Sequence, residues 1–154
     1  MSHSTSLSPE FAASLQEIKT LRVYPEGSSL FERDAPADGF YLLEFGRVRM
    51  LYPTPMGWQV FSIRDKRGEV LGLAEVMSRE AFRVTAKASE RTGAYFVQRD
   101  KFLKLLNGSP DLRLQVLGIL SGDLDSLYDA YRNVRWKPGR PRALEKRTIT
   151  NLQE

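Results

Sequence analysis

The chain has 154 residues, 42% hydrophobic and 27% charged, with a formal net charge of +4, enough for one domain with a real core. It contains no cysteine, which excludes disulfides, thiolate zinc sites and thiol catalysis, and its single histidine, His3, leaves no basis for a triad or a histidine-rich metal site. No apolar run approaches the ~20 residues of a membrane span, and Met1–Ser8 is polar, so the expectation is a cytoplasmic protein without a membrane partner.

Ser8-Pro9-Glu10 reads as a helix start, and Phe11, Leu15 and Ile18 recur at helical spacing, which predicts a helix ending near Lys19. From Leu21 to about Val97 the pattern is of short strands: Leu21–Tyr24, Ser29–Phe31, Phe40–Leu43, the alternation of Val48, Met50 and Tyr52, Trp58–Arg64, Phe82–Ala88 and Ala94–Gln98. Pro25-Glu26-Gly27, the loop Asp34–Gly39 and the loop Pro53–Gly57 punctuate them. Between the strands lies Gly68–Ala86, with two glycines four apart and a short helix over Leu73–Met77. Asp100 is placed to cap a short helix carrying Phe102, Leu103, Leu105 and Leu106, closed by Asn107-Gly108.

Ser109-Pro110-Asp111 starts a further helix. In it Leu117, Leu120, Leu124, Leu127, Tyr131 and Val134 recur at alternating threes and fours, an a/d seam. The pattern runs to Arg135, roughly 25 residues and about 37 Å. A seam this narrow on a helix this long fits a parallel homodimer, and packing on the chain's own strands is the other reading. Beyond it, Arg135, Lys137, Arg140, Arg142, Lys146 and Arg147 face only Glu145, so the basic character is concentrated in a tail suited to nucleic acid or another acidic surface.

The order of these parts resembles the sensor half of Crp/Fnr-type transcription regulators, within the cyclic-nucleotide-binding domain superfamily. The resemblance covers roughly Phe11 to Val134. Its markers are Pro25-Glu26-Gly27 with Leu30-Phe31, Asp38–Leu43, Gly46-Arg47-Val48, Gly68-Glu69-Val70-Leu71-Gly72, Val84–Ala88 and Arg99–Phe102. It implies a mainly β fold with flanking helices: an antiparallel β-roll or jelly roll over 8–108, a long dimerisation helix over 109–135 and a basic, disordered tail over 136–154. It also implies a regulatory, non-enzymatic function and a cyclic nucleotide, or another small anionic or nucleotide-like ligand, held by a phosphate-binding cassette. Carried onto this chain, the cassette comprises Gly72, Leu73, Ala74, Glu75, Glu80, Ala81 and Arg83.

Two cassette positions depart from the pattern. Leu73 stands where nucleotide-binding members have an acid for the ribose hydroxyl, and Glu80 stands where they have the arginine that neutralises the phosphate. Leucine accepts no hydrogen bond, and a carboxylate repels an anion by ~4 kcal/mol at 4 Å and an effective dielectric of 20. Arg83, or failing it Arg79, is the candidate to replace the lost cation, while Glu75 and Arg79 are spaced to pair on a helix surface. Arg33 falls where the family often has glycine, so the turn there changes type or takes a residue at positive φ.

About 20 residues follow the long helix, too few for a winged helix-turn-helix. Gly139-Arg140-Pro141-Arg142 is similar to an AT-hook core. The sequence thus reads as a ligand-sensing, dimerising module with a degenerate cassette. The alternatives are a non-sensing scaffold whose site has decayed, or a truncated regulator.

Overall fold

Alternating apolar and polar residues over short segments make half-buried strands, and the described residues form eight strands. The computed structural model describes residues 9–135, with side chains described as far as residue 122. Helix α1 (Pro9–Ser14) precedes β1 (Lys19–Tyr24), β2 (Ser29–Phe31), β3 (Gly39–Phe45), β4 (Val48–Thr54), β5 (Gly57–Arg64) and β6 (Val70–Leu71). Then come α2 (Leu73–Ser78), β7 (Thr85–Ala88), β8 (Thr92–Gln98), α3 (Arg99–Asn107) and α4 (Pro110–Arg135).

The strands form two four-stranded sheets, β1-β8-β3-β6 and β2-β7-β4-β5, with every neighbouring pair antiparallel. One face of the first sheet meets the second, where Phe31 of β2 lies 5.6 Å from Tyr41 of β3. Its other face carries the helices: Phe40 meets Phe102 edge-on at 4.7 Å, and Phe102 stacks on Phe11 at 6.1 Å. Val48, Met50, Ala86 and Ala88 complete the core from the second sheet. Among the described residues no helix is long and apolar enough to cross a membrane.

Several boundaries differ from the sequence expectation. Helix α1 stops at Ser14, not near Lys19, and i→i−3 bonds (Leu15 N–H to Ala12, Ile18 N–H to Leu15) carry the chain to β1. Leu15 still reaches the core through this tighter winding. The expected strand Phe82–Ala88 is only Thr85–Ala88, because Asp34 and Ala35 take the backbone groups of Phe82 and Pro36 bridges Ala81. In place of a Pro53–Gly57 loop, β4 runs on to Thr54, whose Oγ1 bonds Met56 N–H and Gly57 O. Arg33 is not at positive φ. The positive φ falls on Asp34 (73°), while Arg33 N–H bonds Thr85 Oγ1 and its guanidinium pairs with Asp34.

Gln98 stands at the N-cap position of helix α3 without a side-chain capping bond, Asp100 lies inside its first turn, and Gly108 at its end is not left-handed. Arg113 instead satisfies the last carbonyls of α3, bonding Leu106 O at 2.7 Å and Asn107 O at 3.3 Å. Ser109 Oγ accepts the Leu112 N–H and so caps α4 as the sequence predicts. Leu112 and Val116 of α4 are buried, and Ile119 and Leu120 pack partly on the same core. Leu114 (67% exposed) and Leu117 (59%) face away from it. The side chains of Leu124, Leu127, Tyr131 and Val134, the Ser8 cap and the tail 136–154 lie outside the described residues.

Candidate functional site

The cassette begins where β5 turns into β6. Glu69 anchors that turn: its Oε2 accepts the N–H groups of Lys66 (2.8 Å) and Asp65 (3.2 Å). Its Oε1 faces Arg64 at 3.8 Å, and both side chains are largely buried. Arg64 also donates from Nε to Ser62 Oγ and from a terminal nitrogen to Val70 O, so it ties the outer strand of one sheet to the outer strand of the other.

Gly72 then reverses the chain in the left-handed conformation (φ 86°, ψ 8°). A Cβ there would sit 2.8 Å from Cε1 of Phe82, whose ring stacks on Phe31 at 3.9 Å. Only glycine meets both demands. The short helix α2 turns Leu73 and Val76 into the core and leaves Ala74 and Glu75 half-buried. Arg79 ends it at φ 59°, with Arg79 N–H to Val76 O and Glu80 N–H to Glu75 O, the bonding of a Schellman cap.

This turn brings the cassette's charged residues together. Arg83 pairs with Glu80, and Arg83 N–H points to Glu75 Oε2 at 3.4 Å. The Arg83 hydrogen bond and charge hold the Glu80 carboxyl below its usual range. Glu75 thus turns to Arg83 and not to Arg79, which lies past the helical repeat in its left-handed cap. Ala81 is pinned by its bridge to Pro36. Of the residues the sequence singled out, half-buried Glu75 and exposed Glu80 and Arg83 form one polar cluster. Leu73 belongs to the hydrophobic core and Gly72 to the hinge. The Glu69 clamp and the Phe31–Phe82 stack were missed. The clamp is local, spanning only Arg64 to Glu69, whereas the stack joins residues far apart in the chain, and only the alternation around Phe82 hints at its burial.

The family described as "Cyclic nucleotide-binding domain" matches residues 21–109, more than half of the chain. The chain belongs to this family. Its match runs from within β1 to the end of α3, and so covers both sheets and the cassette. No curated protein matches the sequence. Among solved structures, the catabolite activator protein of Thermus thermophilus is similar over 83% of this chain and 60% of its own, at 21% identity and a TM-score of 0.72. The sensor domain of the transcriptional regulator DNR from Pseudomonas aeruginosa is similar over 80% of this chain and 83% of its own, at 24% identity and TM-score 0.65. FixK2 from Bradyrhizobium japonicum is similar over 73% of this chain and 55% of its own, at 23% identity and TM-score 0.65. The chain therefore spans about three fifths of the length of such regulators. At these identities the likeness speaks for the fold alone, that of a cyclic nucleotide-binding domain.

Proposed function

We propose that this chain is the ligand-sensing and dimerising part of a Crp/Fnr-type regulator, divided as 8–108, 109–135 and 136–154, with a cassette tuned away from a simple cyclic phosphate. The observation that carries the reading is the Arg83–Glu80 pair. The cassette keeps a cation at its mouth, but a carboxylate holds it, so an anionic ligand must displace Glu80 to reach it. Dimerisation through α4 is supported by exposed Leu114 and Leu117 and by the apolar seam that continues to Val134. Edge strand β5 adds exposed Trp58 (56%), Phe61 and Ile63, more uncovered apolar surface than one strand of a monomer ordinarily carries. Ligand at α2 would act on the dimer by favouring one arrangement of α4 over another.

The test is calorimetric titration of cyclic AMP into the natural chain and into Glu80→Gln. We expect the variant to bind at least tenfold more tightly, since it removes the competing charge. Equal, tight binding by both proteins would falsify the competition. The second reading, a scaffold without a ligand, is favoured by Leu73, which offers no polar group. It gains the field if neither protein is stabilised against heat by cyclic AMP or cyclic GMP.

A further inference from the structure

Helices α1 and α3 pack on the first sheet and leave the outer face of the second open. Val48 and Met50 of β4 and Ala86 and Ala88 of β7 are buried, so the alternate side chains, Arg49, Leu51 and Lys87, stand on that outer face. The register sets Lys87, Arg49 and Ile63 side by side in one row, Leu51 and Val60 in the next, and Trp58 beyond them. An antiparallel sheet with one wet face ordinarily carries polar side chains there. This one carries Trp58, Ile63 (52% exposed) and Val60 (47%), an apolar strip along β5.

The charge on this face has one sign. The four strands of the sheet contain no Asp or Glu. Arg49 and Lys87 stand directly opposite each other, a like-charge pairing that costs stability. Neither side chain meets a carboxylate among the described residues. Carboxylates brought from outside relieve that repulsion, and apolar side chains beside them cover the strip on β5. The chain's own tail has the wrong sign, with six cations against Glu145 between Arg135 and Arg147. Nucleic acid has the right sign but brings no apolar surface. Two copies of this face set together would bring four unpaired cations into one contact, which leaves the dimer to α4. Four residues of strand separate the Arg49 row from the Trp58 row, about 13 Å, or between two and three turns of a helix laid along the strip.

We propose that this face docks an acidic amphipathic helix of another protein, its carboxylates on Arg49 and Lys87 and its apolar stripe along Ile63, Val60 and Trp58. None of these residues belongs to the cassette or to α4, so the surface is independent of both.

The probes are two synthetic helical peptides with the same leucine stripe, one flanked by glutamates and one by lysines. Each is titrated into the isotope-labelled full chain and followed by amide chemical shifts. Saturable shifts centred on Arg49, Leu51, Val60, Ile63 and Lys87 are expected with the glutamate peptide and not with the lysine peptide. Arg49→Glu sets an opposite charge beside Lys87, so it should raise the urea midpoint while weakening the glutamate peptide at least tenfold. A merely structural role for Arg49 would move stability and binding in the same direction. Adding Lys87→Glu should transfer binding to the lysine peptide. No saturable shifts, shifts confined to residues after Arg135, equal binding of the two peptides, or affinity unchanged in Arg49→Glu would each overturn the proposal. So would binding of phosphatidylglycerol vesicles but not of the glutamate peptide, which assigns the face to a membrane, or a change in the chain's own sedimentation on Ile63→Asp, which assigns it to a second copy.

Discussion

Gly72 and Arg79 close the two ends of one six-residue helix in the same left-handed conformation, with opposite consequences for substitution. At Gly72 the space a Cβ needs is filled by Phe82, which is buried and held by Phe31. Gly72→Ala should therefore lower stability by about 1–3 kcal/mol, read as a fall in the urea midpoint. Arg79 is exposed and takes the position where helices prefer glycine. Arg79→Gly relieves the left-handed cost of ~1–2 kcal/mol but loosens the unfolded chain, for a net gain of about 0.5–1 kcal/mol in the same assay. Tyr41 supplies a pH test. Burial, with Tyr24 adding to it, pushes its phenol up from 10.0 to about 12. Between those values the unfolded chain loses a proton that the folded chain keeps. The contribution is thus intact below pH 10 and is lost as pH rises toward 12, by about 2–3 kcal/mol. Denaturant titrations at pH 9 and pH 11.5 should show a smaller drop for Tyr41→Phe than for the natural chain. An equal drop in the two proteins means the phenol is not shielded.

At the scale of elements, the strands were legible wherever one face was buried. Val48 and Met50 alternate with exposed Arg49, and the start of β4 follows, though not its end. The end of α1 was not, because Leu15 and Ile18 suit a continuing α-helix and a tighter turn equally well. Residues 82–84 read as strand because Phe82 and Val84 alternate, yet the backbone of Phe82 is taken by Ala35 and Asp34, partners nearly fifty residues away, and the Arg83 N–H turns to Glu75. The same non-locality hid the candidate site's pairing: Glu80 meets Arg83 only because Arg79 turns the chain. Helix α4 was read as a seam with one apolar face, and its first turns have two. Leu112 and Val116 serve the core, while Leu114 and Leu117 face away. The two faces should separate under mutation. Leu112→Ala should cost about 2–5 kcal/mol of folding stability with little effect on association. Leu117→Asp should leave the monomer folded, by circular dichroism, and shift sedimentation from dimer to monomer. A Leu117→Asp protein that stays dimeric would remove α4 from the interface and leave β5 as the surface to test.

For the whole molecule, charge divides the chain more sharply than any fold boundary. Six basic side chains between Arg135 and Arg147 face Glu145 alone, so the remainder is close to neutral although the sum is +4. Within the domain five arginines stand beside carboxylates: Arg33 with Asp34, Arg47 with Asp65, Arg64 with Glu69, Arg67 with Glu44 and Arg83 with Glu80. A surface balanced in this way attracts polyanions weakly, since affinity for nucleic acid grows with each phosphate neutralised and each counterion released. Any affinity for DNA must then come from residues after Arg135, and it must be of the electrostatic kind. Such binding falls with salt at a log–log slope of about −0.9 per phosphate contact, or roughly −5 if five or six tail cations engage, with little preference for sequence. The full chain and a chain ending at Arg135 should be compared by fluorescence anisotropy with duplex DNA from 50 to 200 mM salt (about the range over which such contacts lose most of their affinity). The shortened chain should lose the binding and its salt slope together. Binding that survives the deletion would move the contact onto the domain itself, where Arg22, held over Phe96 with no carboxylate beside it among the ion pairs above, is the first side chain to replace.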